Sequence, residues 1–227
     1  ITHHKKAWLL TGLPTLTTQP SNLAHVVVQR EGTVVGNLPT GFAFETVYET
    51  FQPEVLETAD QQWWVEPLET GGTVYIFGAG HVGRSLASFT SAVGFRTVIL
   101  DDRPAYAHPF NVSVADEIIL LPSFEDLFTK RPVDADSFIV IVTRGHLNDQ
   151  VVLAQALKTP AAYIGMIGSR RKCALIFEDL RTKGFSEADI RRIHAPIGLP
   201  IHAETPEEIG ISITAEMIRV RAELSDS

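Results

Sequence analysis

The segment over residues 72–87, GTVYIFGAGHVGRSLA, constrains the fold of this chain more than any other. Its first half is rich in β-branched and aromatic residues, which is typical of a buried strand. Gly78, Gly80 and Gly83 follow with the spacing G-x-G-x-x-G, and a helical pattern begins there. In such a unit the first glycine makes a tight turn, the second lets backbone approach a phosphate, and the third lets the helix pack on the strand. The segment therefore predicts a Rossmann-like domain.

A second predicted strand, over residues 96–100, ends in two acids. Asp101 lies 21 residues beyond Gly80, where a ribose-binding acid is expected in a dinucleotide fold. The helix after the glycine turn offers unpaired N–H groups and a partial positive charge, which favour an anion. The glycines can also serve only to shape the turn, because a fold does not determine a function.

Composition excludes several classes of protein. The net charge is −8 with no basic block, which argues against nucleic acid as the main partner. No apolar run approaches the roughly 18 residues that span a bilayer. Cys173 is the single cysteine, so no disulfide forms within the chain, and a cytoplasmic location fits. We also expect Cys173 to be a buried structural cysteine rather than a reactive one.

We predict an α/β protein in which a Rossmann-like parallel sheet flanked by helices, over residues 72–227, follows a small α+β domain over residues 1–71. In the small domain we expect a hairpin of strands 24–29 and 33–35, helical segments over 43–51 and 53–59, and a strand over 62–68. Trp63 and Trp64 are expected to pack in a core or between domains. The stretch His3-His4-Lys5-Lys6 is expected to be a solvated tail.

The second domain alternates predicted strands and helices. Further strands are expected over 117–120, 137–142 and 161–164, and helices over 123–128, 149–157, 169–183 and 186–193, with a last helix from about 205. A doubly wound sheet of order 3-2-1-4-5 follows from this pattern. Its ligand site lies at the carboxyl ends of the first and fourth strands, where the chain direction switches.

Three loops should therefore converge on one site: residues 78–83, residues 143–146 and residues 165–172. The last loop places three cations, Arg170, Arg171 and Lys172, at a helix start, which suggests a second anion site; the alternative is an exposed first turn. His81 and His146 either line the pocket or are hydrogen-bonded loop residues. The candidate cofactor-binding residues are Gly78, Ala79, Gly80, His81, Val82, Gly83, Asp101, Asp102, Arg103, Thr143, Arg144, Gly145, His146, Gly168, Ser169, Arg170 and Arg171.

Five motifs together resemble the xanthine dehydrogenase accessory factor family of the XdhC/CoxI type. They are IFGAGHVG (76–83), DDRP (101–104), IGMIGSRRK (164–172), HAPIGL (194–199) and AETPEEI (203–209). The segment WVEPL (64–68) is similar to the one that precedes the Rossmann domain in that family. The resemblance covers the chain from about residue 72 onwards.

The resemblance implies a maturation factor rather than an enzyme with its own turnover. Such a protein binds the molybdenum cofactor (molybdopterin), assists its sulfuration, and delivers it to a xanthine dehydrogenase-type molybdenum hydroxylase. A cysteine desulfurase partner and a homodimer are also implied. Longer members carry a Gly-Gly-Cys motif that this chain lacks, so we expect either a missing preceding piece or a short variant, and a role in handling sulfur is in doubt.

The residues by themselves leave the ligand open. A glycine loop, a helix start and arginines suit the phosphate of molybdopterin, but they also suit NAD(P). One alternative is an NAD(P)-dependent oxidoreductase, which the acids after the second strand support. The other is a nucleotide-sensing regulatory protein.

Overall fold

The computed structural model describes residues 7–13, 23–29, 32–37, 44–48, 50, 53–58, 61–68, 71–129, 131 and 133–225. The chain divides into two compact units, Ile1–Thr70 and Gly71–Ser227. Among the described residues no helix is both long and apolar enough to cross a membrane. The expected tail at residues 3–6 lies outside the described residues, and so do residues 30 and 31 between the two strands of the expected hairpin.

The described residues of the first unit form an antiparallel sheet and one short helix. Its elements are β1 (Ala7–Gly12), β2 (His25–Gln29), β3 (Val34–Val35), α1 (Phe44–Tyr48), β4 (Glu54–Glu57) and β5 (Gln62–Leu68), in the sheet order β3-β2-β1-β5-β4. Alternate residues of β1, β2 and β5 form its core; Leu10, Val28 and Val65 are completely buried. Trp63 belongs to this core, whereas Trp64 is 36% exposed and donates to Glu66.

β1 has no counterpart among the predicted elements, and β4 replaces a predicted helix. Residues 53–59 were expected to resume the helix of residues 43–51 after a break near Pro53. Instead β4 pairs with β5 from Glu54 opposite Val65 to Glu57 opposite Gln62. Tertiary pairing has overridden local propensity here.

The second unit is a doubly wound parallel sheet. Its strands are β6 (Thr73–Phe77), β7 (Arg96–Asp101), β8 (Glu117–Leu120), β9 (Ser137–Ile141), β10 (Tyr163–Met166) and β11 (Ile193–His194), in the order β11-β10-β9-β6-β7-β8. Its helices are α2 (His81–Ala92), α3 (His146–Ala156), α4 (Arg170–Thr182), α5 (Glu187–Arg191) and α6 (Pro206–Ser225). The predicted order 3-2-1-4-5 is confirmed, and β11 adds a sixth strand that the sequence analysis missed.

Both faces of this sheet are covered, and β9 shows how. Ile139 and Ile141 pack with α3 and α4 on one face, whereas Phe138 and Val140 pack with α2 and α6 on the other. All five residues of β9 are buried. This explains why the strand is nearly all apolar in sequence.

Residues 123–128 do not form the predicted helix, because backbone groups of Phe124 and Leu127 form hydrogen bonds with a side chain of α3 instead. Asp126 has a left-handed backbone with φ of 52°, which a helix cannot contain. The side chain of Gln155, in α3, accepts from the N–H of Leu127 at 2.9 Å and donates to the carbonyl of Phe124 at 2.7 Å. The segment is therefore held as a series of bends against α3.

Candidate ligand-binding cleft

A cleft of about 310 Å³ opens where β6 and β9 lie side by side. It is lined by Gly80, His81, Val82, Arg103, Tyr106, Val142, Thr143, Arg144 and Ile167, which we call the switch cleft. Loops after β6, β7, β9 and β10 contribute to it. The volume lies at the lower end of the range for small-molecule sites, about 300–1,000 Å³, so the cleft has room for the head of a ligand rather than for all of a large one.

Three glycines shape the wall formed by the first loop. Gly78 has φ of 119°, and a side chain there would meet the carbonyl oxygen of Val142 at 2.4 Å. A Cβ on Gly83 would lie 1.9 Å from the carbonyl oxygen of Gly78, so only glycine allows α2 to approach β6 this closely. A Cβ on Gly80 would meet nothing within 4 Å, which leaves the start of α2 open to a ligand.

The start of α2 presents donors to the cleft. Gly80 is the N-cap residue, and it has no side chain to satisfy the N–H groups of the first turn. His81 and Val82, the first two helical residues, line the cleft. Backbone N–H groups at a helix start favour an anion.

Asp101, the predicted ribose-binding acid, is buried, and both oxygens of its carboxylate accept hydrogen bonds within the protein. It is 1% exposed, and its carboxylate accepts from the backbone N–H of Ala79 at 2.8 Å and of Arg103 at 2.9 Å. Arg103 also donates through Nε at 2.8 Å and Nη2 at 2.7 Å. Burial alone would raise the pKa of Asp101, but the hydrogen bonds from Arg103 and Ala79 outweigh burial and lower it.

These bonds make Asp101 a link between the glycine loop and a cleft-lining cation. Arg103 lies with its guanidinium carbon 3.8 Å from the centre of the Tyr106 ring, and its hydrogen bonds to Asp101 raise its pKa. Within the described chain its Nη1 is not engaged in a hydrogen bond. Arg103 is therefore a fixed cation with donor capacity left. Asp102 is exposed, 3.9 Å from Nε of Arg103.

The opposite wall depends on a buried acid that the sequence analysis did not single out. Asp149, in the first turn of α3, is fully buried and accepts from the N–H of Thr143 at 3.1 Å and its hydroxyl at 2.6 Å. The ammonium of Lys172 donates to Asp149 at 2.5 Å and to the carbonyl of Ile167 at 3.2 Å. The pair thus joins two cleft-lining residues, Thr143 and Ile167. The available signal was the spacing of Asp149 from Val152, Leu153 and Ala156, which places it on the buried face.

The seventeen residues predicted to bind a cofactor divide into a group that lines the cleft and a group that lies around it. Six of the seventeen line it: Gly80, His81, Val82, Arg103, Thr143 and Arg144. Gly78, Ala79 and Gly83 are buried in the glycine turn, and Gly145 is the N-cap residue of α3, which starts three residues earlier than predicted. His146 lines a separate groove. Gly168 precedes Ser169, whose hydroxyl accepts from the N–H of Lys172 as the N-cap of α4, and Arg170 and Arg171 are exposed beside it.

Fold and cleft together define a doubly wound protein with a cationic cleft at its topological switch point. Residues 74–217 match the family model described as the XdhC Rossmann domain. The match covers more than half of the chain, and the chain therefore belongs to this family.

Several known proteins are similar to the chain. It is 28% identical over 224 residues to the Escherichia coli K12 protein YqeB and 27% identical over 202 residues to a probable xanthine dehydrogenase subunit of Bacillus subtilis 168, covering 89% and 87% of this chain. It is 24% identical over 146 residues, 64% of its length, to the E. coli molybdenum cofactor insertion chaperone PaoD. These alignments span 41%, 58% and 39% of the three relatives.

A solved structure agrees with this assignment. The crystal structure of a xanthine dehydrogenase from Bacillus halodurans superimposes with a TM-score of 0.66 at 26% identity. The match covers 97% of this chain and 61% of the other. The chain therefore spans about two fifths to three fifths of the length of these relatives.

Proposed function

We propose that the chain binds the molybdenum cofactor in the switch cleft and assists its insertion into a xanthine dehydrogenase-type hydroxylase. The observation that carries the proposal is the meeting of the open start of α2 with Arg103 and Arg144 in one cleft, in a member of the XdhC family. Bound there, the phosphate of molybdopterin would be held by the N–H groups of His81 and Val82 and by the two arginines.

The contacts of Asp101 favour this ligand over a dinucleotide. Recognition of the NAD ribose uses a carboxylate that is free to accept hydrogen bonds from the ribose hydroxyl groups. Both oxygens of Asp101 already accept two hydrogen bonds each within the protein. NAD binding therefore loses Asp101 as its ribose-binding acid, while the phosphate-binding features of the cleft are unaffected.

The family supports the role as well as the ligand. One relative is a molybdenum cofactor insertion chaperone, and another is a probable xanthine dehydrogenase subunit. We therefore propose a carrier that releases its ligand to a partner enzyme, rather than a catalyst. Sulfuration of the bound cofactor with a cysteine desulfurase, a homodimer and a cytoplasmic location belong to the same proposal. The first two rest on the family resemblance, and the location rests on the single cysteine of the chain.

The test is direct binding of molybdopterin by purified protein, compared with NAD(P), and the effect of Gly80→Val. A valine at position 80 points into open space, so the domain should keep its fold while affinity for molybdopterin falls at least tenfold. Thermal unfolding checks the fold of the variant. Binding of NAD(P) without molybdopterin, or unchanged affinity in Gly80→Val, would overturn the proposal.

A further inference from the structure

Three exposed arginines follow the carboxyl ends of β9 and β10, two inner strands of the parallel sheet. Arg144 follows β9, and Arg170 and Arg171 begin α4; in the described part of the chain no carboxylate pairs with any of them. The chain as a whole carries a net charge of −8. Cations at the start of a helix also oppose its dipole. Arg170 and Arg171 thus form a positive patch on an acidic protein, and they reduce the stability of α4. They do not line the switch cleft.

An apolar groove lies directly beside this patch. It has a volume of about 350 Å³ and is lined by His146 and Gln150 of α3 and by Lys172, Leu175 and Ile176 of α4; we call it the α3–α4 groove. Leu175 is 66% exposed. The acids further along α4 already have partners: Asp179 lies 2.6 Å from Lys183, and Glu178 lies 3.5 Å from Arg181. They therefore leave the positive charge of the patch largely uncompensated.

The groove is linked to the switch cleft through one ion pair. Lys172 lines the groove, and its ammonium binds the carbonyl of Ile167 and the carboxylate of Asp149. Asp149 in turn holds Thr143, and both Ile167 and Thr143 line the cleft. A protein seated on the groove therefore contacts the residue that joins two walls of the ligand site.

We propose that the recipient hydroxylase docks on Arg170, Arg171 and the α3–α4 groove through an acidic segment that carries an apolar side chain. The arginines pair with its carboxylates, and the apolar side chain enters the groove beside Leu175. This proposal rests on the proposed function. The hydroxylase is the occupant that this surface suits, because Lys172 in the groove donates to the carbonyl of Ile167 in the cleft lining, so a protein seated there contacts a residue that supports the ligand site.

Charge reversal of the patch tests the proposal cleanly. In Arg170→Glu plus Arg171→Glu, acids replace cations at a helix start, where they are favourable, so a loss of docking cannot be ascribed to unfolding of α4. The matched control is Lys158→Glu plus Arg191→Glu, which makes the same change in net charge with two exposed cations distant from the patch, one of them at the opposite end of α3. Binding of each protein, loaded with molybdopterin, to the apo-hydroxylase is measured at low and high salt.

We expect the patch variant to bind the apo-hydroxylase at least about tenfold more weakly at low salt, with a smaller salt dependence, and the control to change by less than twofold. Leu175→Glu should also weaken docking, and Leu175→Met should restore it. Affinity of the patch variant for molybdopterin should stay within twofold of wild type. An equal loss in the control, a loss of self-association instead of hydroxylase binding, or unchanged docking would overturn this inference. If wild type itself binds no hydroxylase, the proposed function fails instead.

Discussion

Replacing Asp101 with asparagine tests whether this acid links the glycine loop to Arg103 within the protein or binds a ligand. Each oxygen of Asp101 accepts two hydrogen bonds, one pair from Ala79 and Arg103 and the other from Arg103 alone. An amide turns one oxygen into a donor. In either orientation two hydrogen bonds are lost, and the new N–H groups face existing donors.

The size of the effect follows from those two bonds. Hydrogen bonds to a charged group contribute about 1.5–3 kcal/mol each. The side chain of Arg103 is 22% exposed and can turn to water, so we expect a total loss of about 2–4 kcal/mol. For a protein of this size that corresponds to a fall in Tm of roughly 5–15 °C.

Thermal and urea unfolding of wild type and Asp101→Asn at pH 7 measure this loss, with the exposed neighbour Asp102→Asn as the control. The pKa of Asp101 is lowered in the folded state, so its contribution is present above its ordinary pKa and is lost as the pH falls. The difference between the two proteins should therefore shrink on acidification. If Asp101→Asn unfolded like wild type and lost only ligand affinity, our assignment of Asp101 as an internal link would be refuted.

Two further predictions concern stability. Glu216, which accepts from Tyr163 and from the N–H of Gly198 and lies 3.4 Å from His194, has a pKa of about 2, because these contacts outweigh its burial. The ionised Glu216 should contribute about 3 kcal/mol to the free energy of unfolding above pH 4.5, and this contribution should be lost toward pH 2. The free energy of unfolding of Glu216→Gln should therefore fall less steeply with decreasing pH than that of wild type. The same pH dependence in both proteins would contradict this. Gly83→Ala should unfold at a much lower urea concentration than Gly80→Ala, because a Cβ on Gly83 would overlap the carbonyl of Gly78, whereas a Cβ on Gly80, which has φ of −71°, meets no atom within 4 Å.

The parts of the fold that sequence analysis predicted correctly are those with a local signal. The spacing of Gly78, Gly80 and Gly83 and the apolar run of β9 are sufficient to indicate a doubly wound sheet. The short strands β4 and β11 are held by pairing with a neighbour, of which a four-residue or two-residue segment gives no sign. Likewise, residues 123–128 satisfy the pattern of a helix, and only contact with Gln155 of α3 decides otherwise.

The site was predictable in outline but not in its internal connections. The converging loops follow from strand order, and so Gly80, His81, Thr143 and Arg144 could be chosen correctly as cleft-lining residues. Whether Asp101 faces a ligand or its neighbour Arg103 depends on a turn two residues long, which spacing does not specify. The bond between Asp149 and Lys172 joins residues 23 positions apart on different helices and is visible only in three dimensions.

The most direct test of the account is a crystal structure of the protein with molybdopterin. We predict that the phosphate lies at the start of α2, against the N–H groups of His81 and Val82 and beside Arg144, with Asp101 still bound to Ala79 and Arg103. A phosphate bound elsewhere, or a ligand whose hydroxyl groups displace Arg103 from Asp101, would contradict it.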